Sequence, residues 1–305
     1  MSFSNTVKKE IISAVTDKDK KFACLYGMLI FCKKFTEKEI VFQSESQIVA
    51  DTFTKLVAEV FKGTVKVEKD IFERKNNSVL YCFSIKEAES IRKVSDVFKI
   101  NIDNREIDLK NIDNNNLSNF IAGVFLSCGS VTNPNNEYHL EYVIPSEQLY
   151  NDLSAILGSL GLENKFVMRK NSYILYFKES ENIEDILTFM GAQGSTLELI
   201  NVKILKDMRN RANRVSNCDI ANCNKTIEAA VKQKQDIELI DREIGIDTLP
   251  ATLKEIAFAR LNNPELSLKE LGEILDPPIG RSGVNHRLQR LGKMADEIRG
   301  KLNGK

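Results

Sequence analysis

The sequence predicts an α+β protein: a doubled unit of order helix, two strands, helix, two strands, helix, followed by an all-helical C-terminal domain. Three observations carry that prediction. An aromatic-rich segment, RKNNSVLYCFSIKEAESI (74–91), is echoed by RKNSYILYFKESENIEDI (169–186) at an offset of 95 residues. An apolar stretch bearing one glycine, CLYGMLIFCKKF (24–35), is echoed by IAGVFLSCGSV (121–131), with Gly27 and Gly123 separated by 96. Beyond residue 248 the strand-like patterns stop, and helical spacing, a capping box and a double proline replace them.

Each glycine-bearing stretch reads as a buried helix opening one copy of the repeat. A short first strand follows, KKFT in the first copy and GSVT in the second, and then a longer one, EIVFQSE (39–45) and YHLEYVI (138–144). The segments QIVADTFTKLVAEVF (47–61) and EQLYNDLSAILGSLG (147–161) place apolar residues three and four apart, the spacing of an amphipathic helix. TVKVEK (64–69) and NKFVMRK (164–170) read as strands, ahead of the repeated aromatic strand and a closing helix. Between the copies lies NIDNREIDLKNIDNNN (101–116), whose Asp and Asn content suits solvated Asx turns. A calcium loop is not expected there, because no glycine and terminal bidentate glutamate stand at the required spacing. The expected division is a doubled domain over 1–202 (copies at about 1–100 and 117–202), a basic helical connector over 203–235 and a C-terminal domain over 236–305.

At 305 residues the chain has room for two or three domains. Its 43 Lys and Arg balance 43 Asp and Glu, which excludes a uniformly basic, histone-like binder. Two histidines, His139 and His286, cannot build a three-histidine metal centre. The opening MSFSNTVKKEIISAV lacks the long apolar core of a secretory signal, and no window approaches about 18 uninterrupted apolar residues. The six scattered cysteines then read as free thiols of a reducing cytoplasm; Cys218 and Cys223 lack partners at zinc-ribbon spacing. Phosphate-loop, dinucleotide and His-Glu-x-x-His motifs are missing, so no cofactor is expected.

The zero net charge divides unevenly. Residues 203–305 hold 19 Lys and Arg against 15 Asp and Glu, whereas residues 1–202 hold 24 against 28. The positive charge gathers at Lys203, Lys206, Arg209, Arg211 and Arg214, and again at Arg281, Arg287, Arg290, Lys293, Arg299, Lys301 and Lys305.

The C-terminal elements follow in order. Pro250 suits the start of a helix whose stripe is Leu253, Ile256, Ala257 and Leu261, ending at Asn262-Asn263-Pro264. Ser267 and Glu270 form a capping box at the head of SLKELGEIL, with Leu268, Leu271, Ile274 and Leu275 at helical spacing. DPPIGR (276–281) breaks the chain, and a last helix begins at Ser282. Val284, Leu288, Leu291, Ala295 and Ile298 form its apolar back; Asn285, His286, Arg287, Gln289, Arg290 and Lys293 form the other face. This is a helix-turn-helix pattern, in which the second helix needs an apolar seat and donor-rich side chains to reach base edges. Arg281, Ser282, Asn285, His286 and Gln289 are expected near bases of double-stranded DNA, and Arg287, Arg290 and Lys293 on phosphates, with Arg209, Arg211 and Arg214 as a second phosphate clamp.

The doubled glycine-bearing helix resembles that of the LAGLIDADG homing endonucleases, over LYGMLIFCK (25–33) and IAGVFLSCG (121–129). In that fold the glycine permits close packing of two helices and the eighth residue of the motif is a metal-binding acid. Here Cys32 and Cys128 stand at those positions. A neutral thiol is a poor ligand for magnesium, so the resemblance implies a retired, non-catalytic nuclease scaffold. Over the whole chain, and most specifically over SLKELGEILDPPIGRSGVNHRLQRL and DMRNRANRVSNCDIANCNKTIEAA (207–230), the sequence is similar to the WhiA family of bacterial sporulation and cell-division regulators. That similarity implies a cytoplasmic, nucleoid-associated transcription regulator affecting division and chromosome segregation. The Lys-, Asn- and Ile-rich composition suits a low-GC bacterium. The acidic balance of the doubled domain points to a protein partner there, although Lys66, Lys69, Arg74, Lys75, Arg169 and Lys170 keep a DNA role open.

Overall fold

The computed structural model describes residues 2–74, 79–112 and 114–303. The chain divides into two compact units, residues 1–206 and 207–305. After α1 (Phe3–Ala14), the first repeat runs α2 (Lys18–Ile30), β1 (Lys34–Phe35), β2 (Ile40–Ser44), α3 (Gln47–Val60), β3 (Glu68–Glu73), β4 (Val79–Ile85) and α4 (Ala88–Phe98). The second runs α5 (Leu117–Cys128), β5 (Gly129–Val131), β6 (Leu140–Ile144), α6 (Glu147–Ser159), β7 (Lys165–Arg169), β8 (Ser172–Phe177) and α7 (Ser180–Phe189). Both copies have the order the sequence predicts, and their antiparallel sheets share one topology, β1-β2-β4-β3 and β5-β6-β8-β7. The strand expected at 64–69 begins instead at Glu68. Each sheet buries one face under its helices; in the first, Phe42 stacks on Phe53 of α3 with ring centroids 4.2 Å apart.

The strand pairing revises the alignment of the two copies. Ile40 pairs with Ile85, and its counterpart Leu140 pairs with Phe177; Ser44 pairs with Tyr81, and Ile144 with Tyr173. β4 and β8 therefore correspond at an offset of 92 residues, not the 95 of the sequence echo. The missing three residues lie in the hairpins. Glu73 and Val79 flank a five-residue connection, whereas Arg169 and Ser172 flank only Lys170 and Asn171, both with left-handed φ (46° and 62°) as a tight two-residue turn requires. An odd slip turns every side chain to the opposite face. Tyr81 accordingly packs against the core, while Tyr176, its partner in the sequence echo, lies beside His139 at 5.6 Å between ring centroids.

α2 and α5 meet across the pseudo-two-fold, and their glycines set how closely. A Cβ on Gly27 would collide with the carbonyl oxygen of Phe120 and stand 2.8 Å from the amide nitrogen of Val124. A Cβ on Gly123 would collide with the carbonyl oxygen of Cys24, 2.8 Å from its carbonyl carbon. Cys24 and Phe120 are themselves 96 apart, so the two contacts are images of each other. The connector between the copies is less solvated than its composition suggests. Arg105 Nη1 donates to the carbonyls of Ile30 (3.3 Å) and Cys32 (2.9 Å), satisfying acceptors that the end of α2 leaves open. The Asp108 amide donates to the Tyr26 hydroxyl (3.1 Å), and Ile112 is buried.

The last elements are α8 (Gln193–Ile244), α9 (Ala251–Asn262), α10 (Leu268–Glu273) and α11 (Arg281–Asn303). Residues 203–235 lie wholly within α8. Glu10 of α1 caps its start, accepting from the Ser195 amide (3.1 Å) and hydroxyl (2.7 Å), where a carboxylate also meets the positive end of the helix. The unit of residues 207–305 has its own core, which includes Ile237, Ile240, Leu253, Ile256, Leu271, Val284, Leu288 and Leu291.

Candidate nucleic-acid interface

α10 and α11 form the turn that presents the candidate surface. The capping box at α10 closes as expected: the Ser267 amide donates to Glu270 Oε2 (2.8 Å) and the Glu270 amide to Ser267 Oγ (3.3 Å). α10 stops at Glu273, two residues short of the expected stripe, and leaves Ile274 exposed. The cause is a tight return of the chain, in which the Ile279 amide donates to the Gly272 carbonyl (3.0 Å). A Cβ at position 272 would collide with the Ile279 carbonyl oxygen, so only glycine admits this approach.

α11 begins at Arg281, one residue before the expected start. Val284, Leu288, Leu291 and Ala295 are buried at a spacing of four, three and four, which seats one face of the helix in the core. Arg281, Ser282, Asn285, His286, Gln289, Arg290 and Lys293 are exposed. Arg287 departs from the sequence expectation. It leans onto α9, where Nη1 contacts Glu255 Oε2 at 3.1 Å and donates to the Thr252 carbonyl at 3.4 Å, with 21% of its side chain exposed. The exposed face of α11 therefore carries Arg290 and Lys293 without Arg287.

The basic cluster along α8 divides in the same way. Lys203 is held by Glu181 (2.6 Å) and Glu184 (3.2 Å), and Lys206 by the Pro134 carbonyl (2.6 Å) and the ring of Tyr138. Arg209, Arg211 and Arg214 are exposed on α8. At about 100° per residue, Arg211 and Arg214 share a face while Arg209 stands roughly 200° from Arg211.

Thiols stand at both positions where the nuclease fold carries its metal acids, Cys32 buried and Cys128 half-buried. Cys32 is buried, its Sγ donates to the Lys34 carbonyl at 2.9 Å, and burial pushes its thiol up to about 12. Burial likewise raises the Cys128 thiol well above its ordinary range. Both thiols stay protonated at neutral pH and offer no charge to a cation. Each also has a cation beside it: Arg105, on the Cys32 carbonyl, and Lys8, which neighbours Cys128 and stands 5.8 Å from the Phe125 ring centroid. Among the described residues no three His, Cys, Asp or Glu side chains converge as a metal requires. The residues present do not fit the magnesium of the nuclease fold.

Comparison with known proteins decides the family. The family models "WhiA LAGLIDADG-like domain" and "WhiA C-terminal HTH domain" match residues 117–209 and 212–295. The chain is 40% identical over 317 aligned positions to "Probable cell division protein WhiA" of Clostridium tetani (strain Massachusetts / E88), covering 98% of both chains. The protein of that name from Clostridium perfringens (strain 13 / Type A) is 39% identical, with 98% of this chain and 99% of the relative covered. The chain belongs to the WhiA family. Its fold matches the crystal structure of full-length WhiA from Thermatoga maritima with a TM-score of 0.57 at 24% identity, covering 97% of this chain and 99% of that one. The LAGLIDADG-like model covers only the second copy, and the common sheet order identifies 18–98 as its degenerate twin in this WhiA chain. No helix among the described residues is long and apolar enough to cross a membrane.

One residue of this WhiA helix-turn-helix escapes sequence reasoning. Arg260 reads as a basic residue at the end of a helix, yet it is 2% exposed and holds the α9–α10 turn, donating through Nη1 to the carbonyls of Pro264 (3.3 Å) and Leu266 (2.7 Å). The only signal in the sequence is that position 260 continues the Leu253–Ile256–Ala257 stripe, where a buried residue belongs.

Proposed function

We propose that this chain is a non-catalytic, sequence-specific DNA-binding regulator that reads duplex DNA through α11 and acts in cell division. The observation that carries this reading is the two-faced α11. An apolar back fixes it in a core of its own, and Arg281, Ser282, Asn285, His286 and Gln289 share its exposed N-terminal half. Arginine offers a bidentate fork to guanine, and Asn or Gln a matched donor and acceptor pair to adenine. Arg290 and Lys293, further along, suit phosphates, as do Arg211 and Arg214 on α8; Arg287 serves the seat of the helix instead. The names of the relatives support cell division as the process; transcriptional control, chromosome segregation or sporulation and a nucleoid-associated cytoplasmic location are consistent with a DNA reader in that process.

Binding of the full chain to a library of duplexes tests this reading: one enriched motif is expected, and equal affinity for all sequences would refute it. The neutral, cation-flanked thiols support a chain without nuclease activity. Supercoiled DNA with magnesium should remain un-nicked, and nicking lost on mutation around Cys32 or Cys128 would overturn that part.

The doubled domain favours a second reading, a surface for a protein partner. Of the cations that keep a DNA role open there, Arg74 is bonded to Glu45, while Lys66 and Lys69 reach Glu87 (3.5 Å) and Asp51 (3.9 Å) as exposed pairs that screen them only weakly. Lys75 falls outside the described residues. Lys86 and Lys165 are held by Glu68 and Glu179, both at 2.6 Å, while Phe72, Val143 and Val167 are exposed on the strands. On this reading, Phe72→Asp with Val167→Asp leaves DNA affinity of the full chain unchanged; a loss of affinity would return the sheets to DNA.

A further inference from the structure

The unit of residues 207–305 contains a recess of about 410 Å³ between the second half of α8, the end of α9 and the starts of α10 and α11. All of the charged side chains lining it are cations: Lys225, Arg260, Lys269 and Arg281. Among the described residues, Lys225, Arg260 and Arg281 have no acidic oxygen within 4.0 Å; Lys269 reaches Glu273 only at 3.8 Å, with both side chains exposed. An exposed pair of that kind neutralises little.

Two buried atoms at the recess also lack partners. Arg260 uses Nη1 on the α9–α10 turn, but its Nε, buried with the rest of the side chain, has no acceptor. Gln233 Oε1, on the α8 side, is buried without a donor. A single bridging water would satisfy both atoms, accepting from Nε and donating to Oε1. It would leave four cations around one cavity with no carboxylate among the lining residues, an arrangement that draws an anion. Guanidinium and ammonium donors arriving from several directions suit a tetrahedral oxyanion with several acceptor oxygens better than a planar carboxylate, which one arginine fork satisfies.

We infer that this recess binds a phosphate group, held by Lys225 and Lys269 with Arg260 behind them, while Arg281 at its rim stays with the base-reading face. The phosphate belongs either to the backbone of bound duplex or to a small phosphorylated molecule. The first source rests on the proposed DNA reading, since Arg281 and Asn285 line the recess and also open the exposed face of α11. The second does not.

The test uses the full chain and the double variant Lys225→Gln with Lys269→Gln. Both lysines are exposed, so the fold is expected to survive, and circular dichroism checks it. In the first arm, inorganic phosphate and pyrophosphate are titrated against chloride at matched ionic strength while the unfolding temperature is followed. A saturable rise in the wild type that the double variant loses assigns the recess to a free phosphate. In the second arm, affinity for duplex is measured against salt. A log–log slope shallower by about 0.9 in the variant, with base preference unchanged, assigns it to one backbone phosphate; between about 50 and 200 mM salt the variant then weakens roughly 3.5-fold less than wild type. A rise that persists in the variant together with an unchanged slope overturns the proposal, as does no response in either arm. Should the wild type bind no duplex at all, the DNA reading falls and the first arm alone decides the recess.

Discussion

Arg287→Gln and Arg290→Gln, three residues apart on one helix, should fail in different ways. Arg287 makes a charge-assisted contact to Glu255 at 3.1 Å, with side chains 21% and 32% exposed. Glu255 also accepts from the Asp276 amide through its other oxygen (2.9 Å), so one carboxylate ties α9 both to α11 and to the chain leading into it. A hydrogen bond to a charged group contributes about 1.5–3 kcal/mol, and partial exposure brings this pair towards about 1 kcal/mol. In a unit of roughly one hundred residues that lowers the unfolding temperature by about 4–8 °C. Arg290 is exposed and has no ion pair among the described residues, so its loss should leave stability nearly unchanged. It should instead make the log-affinity against log-salt slope shallower by about 0.9. The assay is differential scanning calorimetry beside duplex titrations at several salt concentrations, on both variants. A shallower slope with unchanged melting for Arg287→Gln would refute the assignment of Arg287 to the seat of the helix.

Asn285→Ala should relax preference at one base pair, at a cost of about 1–3 kcal/mol of discrimination; titration against duplexes varied at each position reads it, and intact preference everywhere would remove Asn285 from the base-reading set. Gly123→Ala should destabilise in urea despite a helix-propensity gain of about 1 kcal/mol, because its Cβ meets backbone rather than a movable side chain; Gly158→Ala in α6, with open space around it, should stabilise and serves as the control. The bond from Lys203 holds the Glu181 carboxyl at about 2, below its ordinary 4.5. A depressed carboxylate contributes stability that is present above about pH 4.5 and lost as pH falls towards 2, so Glu181→Gln should flatten the acid limb of a melting-temperature profile over that window; an unaltered limb would count against the pair.

The repeat was legible because both copies must bury the same faces: Gly27 and Gly123 reappear at the one spacing that brings two backbones together. The register of the aromatic strands was not. RKNNSVLY and RKNSYILY match as letters, but the five-residue connection in the first hairpin and the two-residue turn in the second place Tyr81 and Tyr176 on opposite faces. Letters align by identity, whereas strands align by the face they bury. The apolar back of α11 followed from periodicity, yet Arg287 did not, because a helical wheel assigns angles and cannot see Glu255 on a neighbouring helix. Arg260 was hidden for a similar reason: its peptide-carbonyl partners lie in a turn whose geometry is set by Pro264 and the capping box together.

The thiols at positions 32 and 128 and the glycines at 27 and 123 share one physical setting. Close packing of α2 against α5 carries the end of each motif helix into low-dielectric surroundings. A carboxylate there needs a balancing cation, which in the nuclease fold is the metal. Without that cargo, an ionised acid at position 32 would face the Lys34 carbonyl, an acceptor that needs a donor and would repel it. A protonated thiol supplies the donor at 2.9 Å. Arg105 stands beside the Cys32 thiol, and Lys8, whose pKa its own burial lowers, stands beside that of Cys128. The closeness that keeps Gly27 and Gly123 glycine serves the core that α2 and α5 share.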